Sequence, residues 1–351
     1  MDVRIVEISG TPYERGVQYG KQAKDLIDIC VDNYKRYVSG DTGMDWDTAC
    51  RVASGYKKAI EAYRPDYLEE MRGIADGSGR SFADILTINC RSEIRAMTGY
   101  VPAECTAVAV LPSASADGHT YTGQNWDNQT LQQKCMVVVK IRRTEGPDVM
   151  LITEAGFVGG KGMNSNGVSL MLNALFVGYE KDAVPLHIKM RAALDSDNIS
   201  EAYSNAAKGN TGTGGNLLLG SEGAAIAEEL TLHEVDGVLP ENGILTHTNH
   251  ILSPRLQHIP DNFRRDGSTF LRLCRADELL RSKKALTKED IMAMFSDETG
   301  YPLGLYTYPI ETVPEEKQYS TNYTVVFDNT EKTVYLRAAS NSLDDFKAIT
   351  I

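Results

Sequence analysis

Hydrophobic spacing changes character along this chain near residue 105. Before that point apolar residues recur mostly at helical intervals. Residues 3–8 predict one short strand. Thr11-Pro12-Tyr13-Glu14 then supplies an N-cap, a proline at the first helical position and a capping-box glutamate. Ala23, Leu26, Ile27, Cys30, Val31 and Tyr34 follow at three-and-four spacing, which makes one helix face. A second helical pattern runs from about Trp46 to Tyr63 and stops before Pro65. A third covers about Asp66 to Asp76 and ends at Gly77. Ser81 caps a short fourth helix.

At Cys105 the period becomes alternating. Thr106–Leu111 predicts a strand, Asp117-Gly118 a tight hairpin turn, and 120–126 the return strand. Further strands are predicted at 134–143 and 149–153, and at Val168–Ala174 after the turn Asn164-Ser165-Asn166-Gly167. Helices are predicted at 185–196 and 199–208, then strands at 216–219, 224–231 and 243–248. Helical patterns at 263–282 and 287–297 precede a last hairpin, 320–328 with 332–338. Antiparallel strands with helices grouped in blocks predict a layered α+β fold, two sheets face to face with helices outside. No repeat is visible, and no clean domain linker lies between residues 95 and 110.

Length and charge narrow the function classes. A chain of 351 residues equals roughly two domains, or one large sandwich. Its 36 basic and 48 acidic residues leave a net charge of −12, which argues against a nucleic-acid or anionic-membrane partner. No apolar run approaches the ~18 residues of a membrane span. The first thirty residues are charged and amphipathic, without the apolar core of a secretory signal, so a cytoplasmic protein is expected. The six cysteines show no CxxC or Cys/His pairing, so free thiols rather than a zinc site are expected.

Three places carry candidate chemistry. Glu104-Cys105-Thr106 opens the first strand after the change of period, and Gly123-Gln124-Asn125-Trp126-Asp127 closes its hairpin partner. The hairpin can therefore bring Asp127 to the Cys105 end. A buried thiol beside a turn-forming Asn-Trp-Asp is the plainer reading of the same residues. Thr246-His247-Thr248-Asn249-His250 follows an apolar strand; its asparagine could donate to an oxyanion and its histidines could act as a base or bind a metal, though no nearby carboxylate completes a familiar ligand set. It could equally be a polar strand end. Asn173 ends the strand Val168–Leu172 and is either a further donor or a turn residue. Gly156-Phe157-Val158-Gly159-Gly160-Lys161-Gly162 lacks the GxxxxGK[ST] phosphate signature and reads as a glycine-rich crossing with close backbone approach. Gly212-Thr213-Gly214-Gly215 reads as a loop.

Taken in order, these segments resemble the acyl-coenzyme A:6-aminopenicillanate (isopenicillin-N) acyltransferase family of cysteine-type Ntn hydrolases. Gly10-Thr11-Pro12-Tyr13-Glu14 with Gly16 and Gly20 is similar to the family's opening helix. Arg72-Gly73-Ile74-Ala75 and Asn89-Cys90-Arg91-Ser92-Glu93 resemble its pre-nucleophile segments. Cys105-Thr106 and Gly123-Gln124-Asn125-Trp126-Asp127 match its nucleophile and partner motif. So do Ile152-Thr153-Glu154-Ala155-Gly156, Asn173-Ala174-Leu175, Pro185 with His187 and Arg191, and His247-Thr248-Asn249-His250.

The resemblance implies a four-layer αββα sandwich made as one inactive precursor that cuts itself between Glu104 and Cys105. Residues 1–104 would become a mostly helical chain and 105–351 the nucleophile-bearing chain of one globular unit. Cys105 would be the nucleophile and its freed α-amino group the base. Asp127 would orient that group, Asn249 would donate to the oxyanion with help from Asn173, and Thr106, Gln124, Asn125 and Glu154 would support the site. The implied reaction is hydrolysis or acyl transfer of a small N-acyl amide, an amine being the acceptor in transfer, with no cofactor and no metal. Two features depart from the penicillin enzymes. Glu104 stands where they have glycine, so slower or differently triggered cleavage is expected. Glu316-Lys317-Gln318-Tyr319 lacks their arginine, which weakens the expectation of coenzyme A or β-lactam recognition. A choloylglycine-type acylase, acting on bile-salt or penicillin-V amides, and a non-catalytic binding module are the competing readings. The 104 residues before Cys105 speak against the first.

Overall fold

A computed structural model describes residues 3–97, 104–260 and 267–351 of the chain. Both sheets implied by the alternating segments are present. Numbered along the chain, the eight-stranded sheet runs β1 (Arg4–Ser9), β4 (Met136–Arg142), β5 (Val149–Glu154), β6 (Lys161–Asn164), β7 (Ser169–Tyr179), β8 (Thr213–Ser221), β9 (Ala224–Leu230), β10 (Val235–Val238). The six-stranded sheet runs β11 (Ile244–His247), β2 (Glu104–Val110), β3 (Tyr121–Gln129), β12 (Tyr319–Asp328), β13 (Thr333–Ala338), β14 (Lys347–Thr350). Neighbouring strands are antiparallel except β1, which pairs parallel to β4.

One helical layer comprises α1 (Pro12–Gln22), α2 (Lys24–Thr42), α3 (Trp46–Gly55), α4 (Lys57–Tyr63), α5 (Pro65–Ser78), α6 (Phe82–Asn89), α7 (Arg91–Ala96), α8 (Leu186–Leu194) and α9 (Ile199–Ala207). It packs on the outer face of the larger sheet through Ile27, Ile74, Val137, Val139 and Leu217. The opposite layer, α10 (Gly267–Arg281) and α11 (Lys288–Met294), covers the smaller sheet. The result is the expected αββα sandwich. Strand β2 illustrates the layering. Cys105, Ala107 and Ala109 point between the sheets, while Val108 and Val110 point to the helices. Every second residue of a strand takes the same face, so burying both faces demands an apolar run rather than an alternation.

Local signals set several elements. Thr11 and Glu14 form a reciprocal capping box on α1, and Ser81 with Asp84 forms one on α6. Other boundaries are corrected by packing. The 46–63 helix breaks at Tyr56 into α3 and α4. Gly77 does not end the third helix; Gly79 does, at φ +77°. Gly77 instead lies inside α5, where a Cβ would fall 2.3 Å from the Val17 carbonyl oxygen. Gly16 meets α5 in the same way, 2.1 Å from the Glu70 carbonyl, so α1 and α5 cross backbone to backbone. Thr213-Gly214-Gly215 belongs to β8 rather than to a loop. Strands β10, paired to β9, and β14, paired to β13, carry no strong local signal in the sequence, and residues 263–266 of the predicted helix lie outside the described residues. Among the described residues no helix is long and apolar enough to cross a membrane.

Candidate active site

Cys105 is the second residue of β2, between β3 and β11. The register sets Cys105 opposite Trp126 and Glu104 opposite Asp127. Strand β11 ends at His247, and the chain beyond it carries Asn249 past the head of β2. There Asn249 Oδ1 accepts the Cys105 backbone N–H at 2.8 Å, while its Nδ2 donates to the Ala174 carbonyl at 3.1 Å. Asn173 arrives from the other sheet. Met171, two residues before it in β7, faces the inter-sheet layer, so the pleat points Asn173 the same way. Its Nδ2 donates to the Cys105 carbonyl at 3.1 Å and to the His247 carbonyl at 3.4 Å. Asn216 fixes the amide by donating to Asn173 Oδ1 at 2.9 Å.

Arg272 of α10, not singled out by sequence pattern, ties these groups together. Nη1 donates to the Cys105 carbonyl at 2.7 Å and to Thr106 Oγ1 at 3.2 Å; Nη2 donates to Asn249 Oδ1 at 3.0 Å. Its Nε lies 3.4 Å from Glu104 Oε2. Glu104 and Asp127 are like charges directly opposed across a ladder, which is unfavourable unless a cation stands near. Arg272 supplies that cation. Asp127 Oδ1 accepts from Thr321 Oγ1 at 2.6 Å, and Oδ2 has no hydrogen-bond partner. Burial pushes the Asp127 carboxyl up to about 7; Thr321 and Arg272 oppose the shift and Glu104 adds to it.

The Cys105 thiol faces the layer between the sheets and is 2% exposed. Burial pushes it up to about 12, although Lys161 and Arg272 favour the thiolate. A thiol in that state is almost wholly protonated at neutral pH. It borders a cavity of about 50 Å³, lined also by Trp126, Leu172, Leu175, Phe176, Leu186 and Arg91. That volume holds a few water molecules. An acyl chain needs the cavity to widen.

Other expected residues serve different ends. Gln124 crosses between the sheets, accepting from the Leu172 N–H at 3.1 Å and donating to the Leu172 carbonyl. Asn125 turns toward the α10–α11 layer, where it donates to the Phe295 and Leu305 carbonyls at 2.9 and 2.7 Å. Glu154 is held by Arg91 at 3.1 Å, Gln132 at 2.7 Å and the Tyr34 hydroxyl. His247 is locked between Glu229 at 2.8 Å and the Thr248 carbonyl, and His250 contacts Thr269 at 2.9 Å. Neither histidine touches Cys105. His187 is buried beside Phe157, and burial holds it well below the ordinary imidazole range. The glycine-rich crossing is close, as expected: a Cβ on Gly159 would sit 1.9 Å from the His187 carbonyl. Its Lys161 carries no signal of a functional residue in the sequence pattern. Two residues before the inward-facing Met163, that lysine also points between the sheets, a parity already present in the sequence.

The αββα sandwich places the chain in the Ntn-hydrolase fold class. It superposes on a variant of the conjugated bile acid hydrolase from Clostridium perfringens with a TM-score of 0.51 at 16% identity, covering 70% of this chain and 92% of that one. Residues 114–343 match the family described as acyl-coenzyme A:6-aminopenicillanic acid acyl-transferase, and the chain belongs to that family. The match includes Asp127, Asn173 and Asn249 and begins after Cys105. The acyl-coenzyme A:6-aminopenicillanic-acid-acyltransferase 40 kDa form of Emericella nidulans is 29% identical over 343 residues, 95% of this chain and 91% of that protein. The protein dcd1A of Dictyostelium discoideum is 26% identical over 137 residues, 32% of this chain and 28% of its own.

Proposed function

We propose that this protein is a self-processing cysteine amidohydrolase or acyltransferase. Cys105 is its nucleophile and Glu104–Cys105 the bond it cuts. Residues 1–104 and 105–351 then remain together as two chains of one αββα unit. The observation that carries the reading is the convergence on Cys105 of Asn249, Asn173 and Arg272, with Asp127 one residue along the facing strand. Three separate elements hold the backbone on both sides of one thiol, and an ordinary core cysteine needs no such support.

Cleavage changes the chemistry of Cys105. In the intact chain its nitrogen is an amide and cannot take a proton. Freed, it becomes an α-amino group with an ordinary pKa of ~7.7–8.0, adjacent to the thiol it must deprotonate. The vacant oxygen of Asp127 supplies an anionic partner for the resulting ammonium. The thiolate attacks the carbonyl of an N-acyl amide and Asn249 donates to the oxyanion. The amine departs and leaves an acyl-thioester on Cys105. Water completes hydrolysis; a second amine completes transfer. The apolar wall of Trp126, Leu172, Leu175 and Phe176 suits an acyl chain.

The test is intact mass of the purified protein beside its Cys105→Ala variant. Two fragments meeting at Glu104/Cys105, with a single full-length alanine variant, support the reading. A full-length mass for both proteins sinks it. Offering the processed protein an N-acyl amide with and without an amine acceptor then separates transfer from hydrolysis.

A further inference from the structure

Lys161 is the one charged residue of the glycine-rich crossing, and it lies directly opposite Ile152 in the β5–β6 ladder. Opposed residues share a face, and Ile152 lies in the layer between the sheets. The lysine therefore enters the layer that holds Cys105. It is 4% exposed. Its Nζ lies 4.1 Å from the centre of the Trp126 ring and 5.8 Å from that of Tyr323. Trp126 is the cross-strand partner of Cys105.

Among the described residues, Lys161 Nζ meets no hydrogen-bond acceptor and no carboxylate. The ionisable groups facing it are Cys105 from β2, Tyr323 from β12, Glu154 from β5, Arg91 from α7 and His187 from α8. Glu154 is already committed to Arg91, Tyr34 and Gln132. A buried ammonium without an anion is costly and sheds its proton instead. Burial accordingly pushes Lys161 down to about 7; Cys105 and Glu154 oppose the shift and Arg91 adds to it. The coupling is mutual, since Lys161 is the charge that most favours the Cys105 thiolate.

We propose that Lys161 is the base that starts self-cleavage, its neutral amine taking the Cys105 thiol proton in the uncleaved chain. The proposal rests on Cys105 being the self-cleaving nucleophile, and it fills a gap in that reading. The α-amino base of the mature protein does not exist until the bond is cut. The thiol proton moves to Nζ, and the thiolate attacks the Glu104 carbonyl carbon. The Glu104–Cys105 C–N bond breaks, and the departing nitrogen takes its proton back from Nζ. A thioester joins the Glu104 acyl group to Sγ. Water hydrolyses it, giving the Glu104 carboxylate and the free thiol. Nothing is oxidised or reduced. Two bases thus act in turn, the lysine once and the α-amino group at every later turnover.

The test follows cleavage of freshly translated full-length chain by mass. Lys161→Met, which keeps the apolar stem, is expected to cleave at least ~100-fold more slowly than the unsubstituted chain. Lys161→Arg is expected to be as slow, because a guanidinium keeps the charge and cannot take the proton. Ethylamine is expected to restore part of the rate to Lys161→Ala. Cleavage of the unsubstituted chain should rise with pH to a plateau with its midpoint near 7. An arginine variant as fast as the parent overturns the proposal, because a fixed cation then suffices. A methionine variant as fast as the parent also overturns it. If both variants fail to fold, the parent's pH profile decides: a rate still climbing above pH ~9 rejects a depressed lysine as the base. If the parent yields no fragments at all, Cys105 is not a self-cleaving nucleophile and both readings fall. Cleavage of the parent with unaffected variants removes Lys161 alone.

Discussion

Two of the buried charge clusters in this molecule, one around Glu70 and one around Cys105, are built on opposite rules. Around Glu70, in the outer helical layer, every acid has a base. Glu70 accepts from Arg15 at 3.0 Å and from Arg191 at 2.9 Å. Arg191 also holds Asp195 at 2.9 Å, and Asp195 accepts the Tyr67 hydroxyl at 2.9 Å. Burial pushes Asp195 up, but Arg191 and Arg143 outweigh it and keep the carboxyl below its ordinary range. Around Cys105 the charges are only partly matched, and Glu104 is half-buried. Glu104 Oε2 and Arg272 Nε face each other at 3.4 Å without a hydrogen bond, Asp127 Oδ2 has no hydrogen-bond partner, and among the described residues Lys161 Nζ contacts no carboxylate. Asp127 and Lys161 both shift to about 7, the acid upward and the base downward. Paired charges rigidify a layer. Asp127 and Lys161 sit near their ionisation points at neutral pH, which is the condition that proton transfer requires.

The sharpest way to break this contrast is to unpair the first cluster. Arg191→Met leaves Asp195 without its shortest ion-pair contact and Glu70 with one cation fewer. A loss of about 3–5 kcal/mol in unfolding free energy is expected by denaturant titration. Cleavage at Glu104–Cys105 should persist in the fraction that folds. Equal loss of cleavage in the folded fraction would mean that the two clusters are not independent.

The second test acts on the Cys105 cluster alone. Asn249→Ala removes the proposed oxyanion donor, so kcat/KM of processed protein on an N-acyl amide should fall about 10²–10³-fold. Asn249→Asp keeps the oxygen that accepts the Cys105 N–H and loses the donor. It should fall comparably in rate, and an aspartate variant of full activity would remove the oxyanion role.

The smallest effect is a pH dependence of stability. The Asp127 carboxyl is raised from 3.8 to about 7 in the folded chain, so protonation favours folding. Its contribution is complete below pH 3.8 and is lost as pH rises through about 7. In the uncleaved Cys105→Ala protein, Tm should therefore fall between these limits by at least ~2 °C more than in Cys105→Ala with Asp127→Asn. Parallel melting curves for the two proteins would show that Asp127 titrates normally.

The sequence by itself determined the layering, the helix caps and the place of Cys105 at the head of a strand. Those features depend on local physics. Thr11 and Glu14 sit three residues apart and must meet on a first helical turn; Ala107, Val108, Ala109 and Val110 form a strand apolar on both faces. β2 and β3 do pair, which brings Asp127 to the head of β2, but residues 111–120 form a longer connection in place of the tight turn expected at Asp117-Gly118, so the register was set by packing rather than by that spacing. Asn249 and Asn173 were visible only as polar residues ending apolar strands, and the tertiary structure brought both to Cys105. Gln124 and Asn125 share a motif with Asp127, yet the pleat sends them to opposite faces and gives them packing roles. Gly77 carried an ordinary helix-stop signal that the close crossing of α1 and α5 overrode. Arg272 and Lys161 were decided by tertiary structure alone. One is an arginine on an amphipathic helix and the other a lysine among glycines, and neither pattern marks a buried charge. Burial and the absence or presence of a partner set the state of such groups, and both depend on which strands and helices meet, which local spacing does not encode.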